Sequence, residues 1–359
     1  MGVVGIFAFQ LYNHMSPTIF LAAIAILLAL IFNFTNGFND SANQVATVIS
    51  SRALAPMNAL VLAALGNFVG AFFLGTAVAQ TLGKGIVDPT LLHTGNSGVF
   101  VVMAALIGAT LWNTLTWYFG IPSSSSHALL GGLIGAFVMG WGFTPIHWPK
   151  VYSILVVMVV SPLVGFALTF VLTRVVMDFS RRLHPKAARV FDRLQVLTLM
   201  TQALSHGTND AQQSMGVITF VLILLGLHAA PVKGPLLIPV WVIIACSLAI
   251  AIGTMIGGWR VIKTLGVGLY KVTTVHAFMS QAASSLIIYV TALLGYPIST
   301  TQVISSSVIG AGAATRFNMI RWGVVRDMAI AWLITIPSSA LMAGISFYLI
   351  KHLLLHENL

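Results

Sequence analysis

The sequence predicts an all-α polytopic membrane protein, because 58% of its 359 residues are hydrophobic, only 7% are charged and the mean hydropathy is +0.97. A soluble protein of this length would carry far more surface charge. We expect two inverted-topology repeats of about five membrane segments each, with broken or re-entrant helices at the midplane of the bilayer.

The membrane segments are predicted from apolar runs that are long enough to cross about 30 Å of hydrocarbon. The first series of runs lies near 16–36, 53–80, 98–120, 121–142 and 151–177. The second series lies near 195–227, 236–257, 271–295, 297–315 and 322–350. The predicted domains are therefore an N-terminal transmembrane repeat (1–177), a basic cytoplasmic linker (178–194) and a C-terminal transmembrane repeat (195–359). The first run lacks a basic flank, so we expect a retained span rather than a signal peptide.

The net charge of +10 comes mainly from basic residues between the apolar runs, as in membrane proteins whose charges set their orientation. We therefore expect a lipid bilayer as partner and no nucleic acid. The cations predicted on the cytoplasmic side are Arg52, Arg174, Arg181, Arg182, Lys186, Arg189, Arg193, Arg260, Lys263, Lys271, Arg316, Arg321 and Arg326. The few predicted outside are Lys84, Lys150, Lys233 and Lys351. Cys246 is the only cysteine, which excludes an intrachain disulfide.

Three sequence correspondences relate the halves. Asn39-Asp40 corresponds to Asn209-Asp210, and the stretch 122–126 (PSSSS) corresponds to 297–301 (PISTT). Residues 70–83 likewise resemble residues 253–266. The correspondences occur in one order along the chain, so we interpret them as an internal repeat.

The two Pro-Ser/Thr runs predict an oxyanion site. A proline followed by hydroxyl residues and an apolar segment is typical of a helix N-terminus, which presents free N–H groups and partial positive charge to an anion. The hydroxyls can add donors, although serines in membrane helices more often bond only to a neighbouring helix. The predicted anion-binding residues are Ser123, Ser124, Ser125, Ser126, Ser299, Thr300 and Thr301.

The Asn-Asp motifs predict a site for a co-transported cation. A charged carboxylate at membrane depth costs several kcal/mol unless it faces a cavity, a partner or an ion. Oxygen ligands or proton sites are expected at Asn39, Asp40, Asn43, Asn209, Asp210 and Gln213. The alternative is a protonated carboxylate that caps a broken helix. We expect His127, His206 and His276 to be held by neighbouring carbonyls rather than to relay protons.

Taken together, the Asn-Asp motifs, 121–127, 205–210 and 297–301 resemble the Pit-type inorganic phosphate transporters, and most closely the bacterial low-affinity branch. The resemblance covers nearly the whole chain. It implies import of inorganic phosphate, often as a neutral metal-phosphate complex, by proton-coupled symport across the bacterial inner membrane. Sodium-coupled phosphate symport and sulfate transport occur in other branches and are kept as alternatives. The resemblance places Asn67 and Gln281 where the animal sodium-coupled branch has glutamates, which weakens the sodium alternative. We therefore also predict Asn67 and Gln281 as coupling residues.

Two rival classes differ from a carrier. Ser126 and His127 suggest an intramembrane serine hydrolase, but adjacent helical residues point in different directions. A passive anion channel could use the same helix ends, yet it would not need two buried aspartates. We expect no enzyme activity and no prosthetic group, with co-transported H⁺ the favoured coupling ion and Na⁺ or a divalent metal the alternative. A homodimer is possible, and the identity of any metal ligand is left open.

Overall fold

The computed structural model describes residues 16–87, 96–180, 187–229, 234–262 and 269–354, which are almost entirely helical. The helices of the first half are α1 (Pro17–Ser50), α2 (Pro56–Phe73), α3 (Asn96–Tyr118), α4 (Ser125–Trp141) and α5 (Trp148–Ser180). Those of the second half are α6 (Ala187–Leu224), α7 (Val240–Ile256), α8 (Thr274–Leu293), α9 (Thr300–Thr315) and α10 (Trp322–Leu354). Short helical turns occupy Ala77–Gln80, Thr81–Gly85 and Phe317–Met319. The predicted all-α class is confirmed.

Six helices, α1, α2, α3, α5, α8 and α10, are long and apolar enough to cross a membrane. Helices α4 and α7 have 17 residues each and α9 has 16. At 1.5 Å per residue, 16 residues span only about 24 Å, so α9 is shorter than the hydrocarbon core. The 38 residues of α6 are more polar, and the polar side chains of its middle turns are buried inside the bundle.

The helices depart from the predicted apolar runs near the Asn-Asp motifs. Helix α1 continues through Asp40 to Ser50 instead of ending near residue 36. Within the predicted linker, residues 178–180 and 187–194 are helical, while 181–186 lie outside the described residues. A helix satisfies its own backbone hydrogen bonds, so it can continue through polar side chains wherever these are buried against protein. The division into two repeats and a linker stays a prediction.

Helices α3 and α4 pack against each other as a hairpin, and so do α8 and α9. Each first arm ends at a glycine with positive φ, Gly120 at +67° and Gly295 at +75°. After Gly120, the N–H of Ile121 bonds to the carbonyl of Thr116 at 2.9 Å, the pattern of a Schellman C-terminus. The chain therefore reverses at these two points, where a residue with a Cβ would be strained.

Each second arm begins at a serine N-cap two residues after a proline. The Ser124 side chain accepts a hydrogen bond from the N–H of His127, and Ser299 accepts one from the N–H of Gln302. The capping serines set the first turns of α4 and α9 directly after the reversal. Both hairpins therefore present a helix N-terminus at their closed end.

The contacts between helices are nearly unchanged when the two halves are exchanged. Helix α1 packs on α7 as α6 packs on α2, and α4 packs on α10 as α9 packs on α5. The pairs α1–α3 and α6–α8 correspond in the same way. This pairing supports the predicted repeat, and the opposite orientation of the two copies stays a prediction.

Glycines allow the helices that carry the Asn-Asp motifs to touch their partners. A Cβ on Gly37 would overlap the carbonyl of Ile250 in α7, and a Cβ on Gly207 would overlap the carbonyl of Asn67 in α2. Each glycine lies three residues before the motif aspartate, so close backbone contact fixes the position of that aspartate.

Candidate functional site

The two Asn-Asp motifs meet at the centre of the bundle with a histidine between their carboxylates. His206 Nε2 lies 3.1 Å from Asp210 Oδ2 and 3.6 Å from Asp40 Oδ2. All three side chains are buried. Asp210 and His206 are one turn apart on α6, whereas Asp40 approaches from α1. The central triad, as we name these three residues, therefore joins the two halves.

The second ring nitrogen of His206 fixes its orientation. Nδ1 lies 3.1 Å from Asn67 Oδ1, while Asn67 Nδ2 donates to Gln44 Oε1 at 3.2 Å and to Thr254 Oγ1 at 2.8 Å. The Asn67 amide group is used twice as a donor, so its oxygen is left to accept a proton from Nδ1. Nε2, which has no aligned hydrogen-bond partner, then faces the two carboxylates either as an imidazolium N–H or as a lone pair. The triad can hold a proton or a cation at this point.

The closed end of the second hairpin contacts both carboxylates, and that of the first hairpin reaches Asp210 through Gln213. Thr301 Oγ1 donates to Asp40 Oδ1 at 3.0 Å, and Thr300 Oγ1 donates to Asp210 Oδ2 at 3.1 Å. In the other hairpin, Ser126 Oγ accepts from Gln213 Nε2 at 2.6 Å. The structure thus brings the N-termini of α4 and α9 to the central triad from different halves.

The other predicted anion-binding residues lie at the same hairpin ends. Ser124 and Ser299 are N-caps, Ser125 is buried in the first turn of α4, and Ser123 Oγ lies 2.6 Å from Thr116 Oγ1. A helix N-terminus with adjacent hydroxyls can bind a tetrahedral oxyanion through N–H and O–H donors. The N-termini of α4 and α9 are two such ends.

The predicted amide ligands surround the carboxylates and leave oxygens available. Asn43 Nδ2 donates to Asp40 Oδ1 and Asn209 Nδ2 to Asp210 Oδ1, both at 2.9 Å. Several buried amide oxygens have no hydrogen-bond partner among the described residues, and those within three residues of a motif aspartate include the oxygens of Asn39, Asn43, Asn209 and Gln213. Unpartnered buried oxygens are costly unless a ligand uses them. Together with the carboxylates they form a set of hard oxygen ligands that suits a cation.

Of the remaining two predicted coupling residues, only Asn67 reaches the central triad. Gln281 Nε2 lies 3.2 Å from Thr47 Oγ1, and Gln281 Oε1 accepts from Thr198 Oγ1 at 2.7 Å. These partners lie about two turns from Asp40 along α1 and about two turns from His206 along α6. Gln281 therefore stabilises the helix contacts beside the site rather than contacting the carboxylates.

A small polar cavity opens beside Asp40. Its walls come from α1, the last turn of α3, the first hairpin turn, the segment after α7 and α9: Asn39, Asp40, Asn43, Thr116, Trp117, Ile121, Pro122, Ser123, Val261 and Thr301. The cavity therefore connects a carboxylate, an N-terminal hydroxyl of each hairpin and an indole ring. Its volume of about 10 Å³ has room for about one water molecule, so a phosphate ion could enter only if the walls moved apart.

His206 has different partners from those that the sequence predicted. A neighbouring carbonyl was expected as its partner, but the structure places it against two carboxylates and the Asn67 side chain. The sequence did contain a signal, the spacing of four residues between His206 and Asp210, because residues four apart on a helix share one face. Trp117 is not among the predicted site residues, yet it lines the cavity. The expected carbonyl partner is also absent from the described contacts of the other two histidines, since His276 lies 2.7 Å from Thr315 Oγ1 and His127 lies 2.7 Å from Ser124 Oγ.

The central triad also has the donor set of a divalent metal site. One ligand atom from each of Asp40, His206 and Asp210 lies within 4.8 Å of the others. Imidazole nitrogen with carboxylate oxygens suits first-row divalent ions, and the Asn67 bond to Nδ1 is the outer contact that commonly orients such a histidine.

A sequence model of the phosphate transporter family matches residues 36–343. The chain belongs to this family. A Bacillus subtilis (strain 168) protein described as a "Probable low-affinity inorganic phosphate transporter" is 41% identical over 338 residues, covering 94% of this chain and 99% of the relative. A Rhizobium meliloti (strain 1021) protein with the same description is 40% identical over 324 residues, covering 90% of this chain and 94% of the relative.

The fold of this phosphate transporter family member also matches a solved structure entitled "The sodium-dependent phosphate transporter". That chain is 25% identical, superposes with a TM-score of 0.83, and the match covers 93% of this chain and 100% of the solved one. The predicted family is confirmed, and the chain is a multi-pass membrane transporter rather than a serine hydrolase. In agreement, Ser126 bonds to Gln213, and it is the capping Ser124 that lies 2.7 Å from His127 Nδ1.

Proposed function

We propose that this transporter imports inorganic phosphate by secondary active symport, with phosphate at the two hairpin ends and the coupling cation at the central triad. One observation supports it above the others. The N-terminus of α9 contacts two buried carboxylates directly, and that of α4 is joined to one of them through Gln213. A helix N-terminus attracts an anion and a carboxylate attracts a cation, so a site with both binds the pair better than either alone.

Phosphate would lie between the first turns of the hairpins. The backbone N–H groups and the hydroxyls of Ser125 and Ser126 supply donors, so no arginine is needed within the site. The hydroxyls of Thr300 and Thr301 would have to turn from Asp210 and Asp40 to donate to the anion as well. The two halves contribute one hairpin each, and a relative movement of the halves would expose the site to one face at a time. Such movement distinguishes a carrier from a passive channel.

Protons are the favoured coupling ion. Asn67 and Gln281, at the positions of the glutamates of the sodium-coupled branch, are neutral and already bonded to other side chains. The central triad, in contrast, consists of three side chains that can bind and release protons. A neutral metal-phosphate complex fits the same place, since the triad can bind the metal while the hairpins bind phosphate.

The test is uptake of labelled phosphate into proteoliposomes under imposed gradients. An inward proton gradient should drive accumulation, a protonophore should abolish it, and added Mg²⁺ should increase it. Excess unlabelled phosphate or arsenate should compete, whereas sulfate should not. Failure of a proton gradient to drive any accumulation would contradict proton coupling, and competition by sulfate alone would favour sulfate as the substrate.

Sodium is the second candidate because four amide oxygens around the carboxylates lack partners. A dehydrated Na⁺ needs several such oxygens, whereas a proton needs none of them. The solved relative is also named as sodium-dependent. Accumulation driven by a sodium gradient without a pH difference would establish this alternative in the same proteoliposomes.

A further inference from the structure

The segment after α7, residues 257–262, crosses α1 at its Asn-Asp motif. The N–H of Gly258 donates to Ser41 Oγ at 2.8 Å, and a Cβ on Gly258 would contact the carbonyl of Phe38. Val261 lines the cavity beside Asp40. We name 257–262 the second-half strap, since it comes from the second half and covers the motif of the first.

Arg260 joins this strap to the turn of the first hairpin. Its guanidinium carbon lies 5.3 Å from the ring centroid of Trp117 and 4.9 Å from that of Tyr118. It also donates to the carbonyl of Tyr118 at 2.5 Å, in the last turn of α3. A cation near a helix C-terminus and over aromatic faces is held by both kinds of attraction. Arg260 thereby fixes the strap against the hairpin.

Trp117 lies between Arg260 and the site. Its ring packs on Phe38 at a centroid distance of 5.2 Å and lines the cavity together with Ser123. Phe38 lies two residues before Asp40. Arg260 itself is exposed, whereas Asp40 is only 3% exposed. The strap, Trp117 and the hairpin turn therefore separate the carboxylate from the surface that carries Arg260.

The other half contains a corresponding closure. In segment 75–85 after α2, the N–H of Val78 donates to Gln212 Oε1 at 2.8 Å, beside the Asn-Asp motif of α6. Thr81 Oγ1 donates to the carbonyl of Gly295 in the second hairpin turn at 2.6 Å. Lys150 Nζ lies 4.8 Å from the Tyr296 ring of that turn. We name 75–85 the first-half strap. Each hairpin turn is thus closed by a strap and a cation from the opposite half.

We propose that Arg260 is a positioning residue for transport, which holds the first hairpin turn closed over Asp40 on the linker side of the membrane. Release of its guanidinium from Trp117 and Tyr118 would free the strap and open the cavity to that face. Lys150 lies at the corresponding turn of the other hairpin, which the positive-inside rule places on the opposite face. The proposal rests on the proposed function in that the transported ions would reach or leave the site through the cavity beside Asp40 once it opens.

The first test measures access to the cavity with a single cysteine. In a Cys246→Ala background, Val261→Cys places a thiol in the cavity wall. The probe is a membrane-impermeant maleimide applied to the linker face of sealed vesicles. Arg260→Gln should increase the modification rate at least fivefold, and Arg260→Lys, which keeps a cation over the rings, should stay within about twofold of the parent. Lys150→Gln is the matched control and should leave the linker-side rate unchanged.

Equal rates for Arg260→Gln and its parent would overturn the proposal. An increase of the same size in Lys150→Gln would also overturn it, since that result indicates general loosening of the bundle. Thermal unfolding in detergent identifies a misfolded variant. If Arg260→Gln fails to fold, Arg260→Lys and Trp117→Leu remain, and unchanged access in the folded Trp117→Leu variant would contradict the role of the ring contact.

The second test measures transport. If the contact between Arg260 and the first hairpin turn is weakened, phosphate on the linker side should be able to re-enter the site and leak back out. Arg260→Gln should therefore reduce steady-state accumulation several-fold, while KM for external phosphate changes less than about twofold. Arg260→Lys should restore accumulation, and full accumulation by Arg260→Gln would contradict the proposed closure. Absence of phosphate transport in the parent protein would count against the proposed function, whereas the cysteine measurement would still decide the role of Arg260.

Discussion

Two carboxylates that share one buried site repel each other, and several groups around Asp40 and Asp210 offset that repulsion. His206 lies between them, and hydroxyl and amide donors contact both side chains. Hydrogen bonds to a charged acceptor are stronger than those between neutral groups. The arrangement therefore places two carboxylates at one point, where a proton or another cation can bind between them.

The charge of the aspartates should be required for accumulation. Asp40→Asn and Asp210→Asn keep the side-chain volume while they remove the charge that attracts the coupling ion. We expect at least a tenfold loss of concentrative phosphate uptake in proteoliposomes, with normal insertion and folding. Asp327→Asn is the control, because Asp327 is exposed and pairs only with the neighbouring Arg326 among the described contacts. Normal accumulation by both site variants would contradict the cation site.

The hydroxyls of the second hairpin should contribute to phosphate binding without being its only source. Thr300→Ala and Thr301→Ala remove one donor each but leave the N–H groups of α9, so binding should weaken by about 1–3 kcal/mol, or roughly 5- to 150-fold. Thr300→Ser and Thr301→Ser keep the hydroxyl and should stay close to the parent. Isothermal titration with phosphate measures the difference. If the alanine variants bind as tightly as the serine variants, these hydroxyls serve only to contact the aspartates.

At the residue scale, the sequence indicated the acidic pair because a repeated aspartate in an apolar chain is costly. It could not indicate that His206 lies between the pair, since that contact needs α1 and α6 to be adjacent. Nor could it separate Asn67 from Gln281, which looked equivalent as replacements for glutamate. Only the packing shows that Asn67 reaches His206 while Gln281 bonds to Thr47 and Thr198.

At the element scale, the broken helices could be predicted but their geometry could not. Proline and serine marked where α4 and α9 begin. The reversal itself depends on Gly120 and Gly295, which precede the two prolines by the same number of residues. Their positive φ angles show why the spacing recurs. Hydropathy also ended the first run before Asp40, because it scores polar side chains without knowing that they are buried against other helices.

The glycine contacts between helices should limit what the motif helices tolerate. Gly207→Ala would place a methyl group against the carbonyl of Asn67, and overpacking of this kind costs about 1–3 kcal/mol. We expect a lower apparent Tm in detergent and, since the shift moves Asp210, reduced phosphate uptake. Gly323→Ala in α10 is the control, because a Cβ there meets no atom within 4 Å. Equal Tm values for the two variants would show that α2 and α6 can separate without loss of stability.

At the scale of the whole molecule, the correspondence between the halves extends beyond the motifs that first revealed it. Pro162 lies within α5 and Pro337 within α10, separated by the same number of positions as Pro122 and Pro297. An isolated proline in an apolar run indicates nothing about a repeat until the two halves are aligned. The helix contacts give that alignment a physical basis. Corresponding helices of the two halves have corresponding partners, and the helices of each half pack mainly against helices of the other.

The connections before α5 and α10 show the same local structure. The indole N–H of Trp148 donates to the Phe143 carbonyl at 3.0 Å, and that of Trp322 donates to the Phe317 carbonyl at 3.2 Å. In each connection the phenylalanine ring also lies beside the tryptophan ring. These two corners are equivalent positions of the repeat, so their location tests its orientation.

Inverted repeats require the two corners to lie on opposite faces of the membrane, whereas parallel repeats place them on the same face. Phe143 and Phe317 are 65% and 58% exposed, and the tryptophan bonds go to their backbone carbonyls, so Phe143→Cys and Phe317→Cys should preserve both corners. In a Cys246→Ala background, a membrane-impermeant maleimide should label the cysteine at 143 from outside, on the side of Lys150. It should label the cysteine at 317 only from the linker side, where Arg316 and Arg321 are predicted to lie. Labelling of both cysteines from one face would refute the inverted arrangement and, with it, the assignment of the two straps to opposite sides of the membrane.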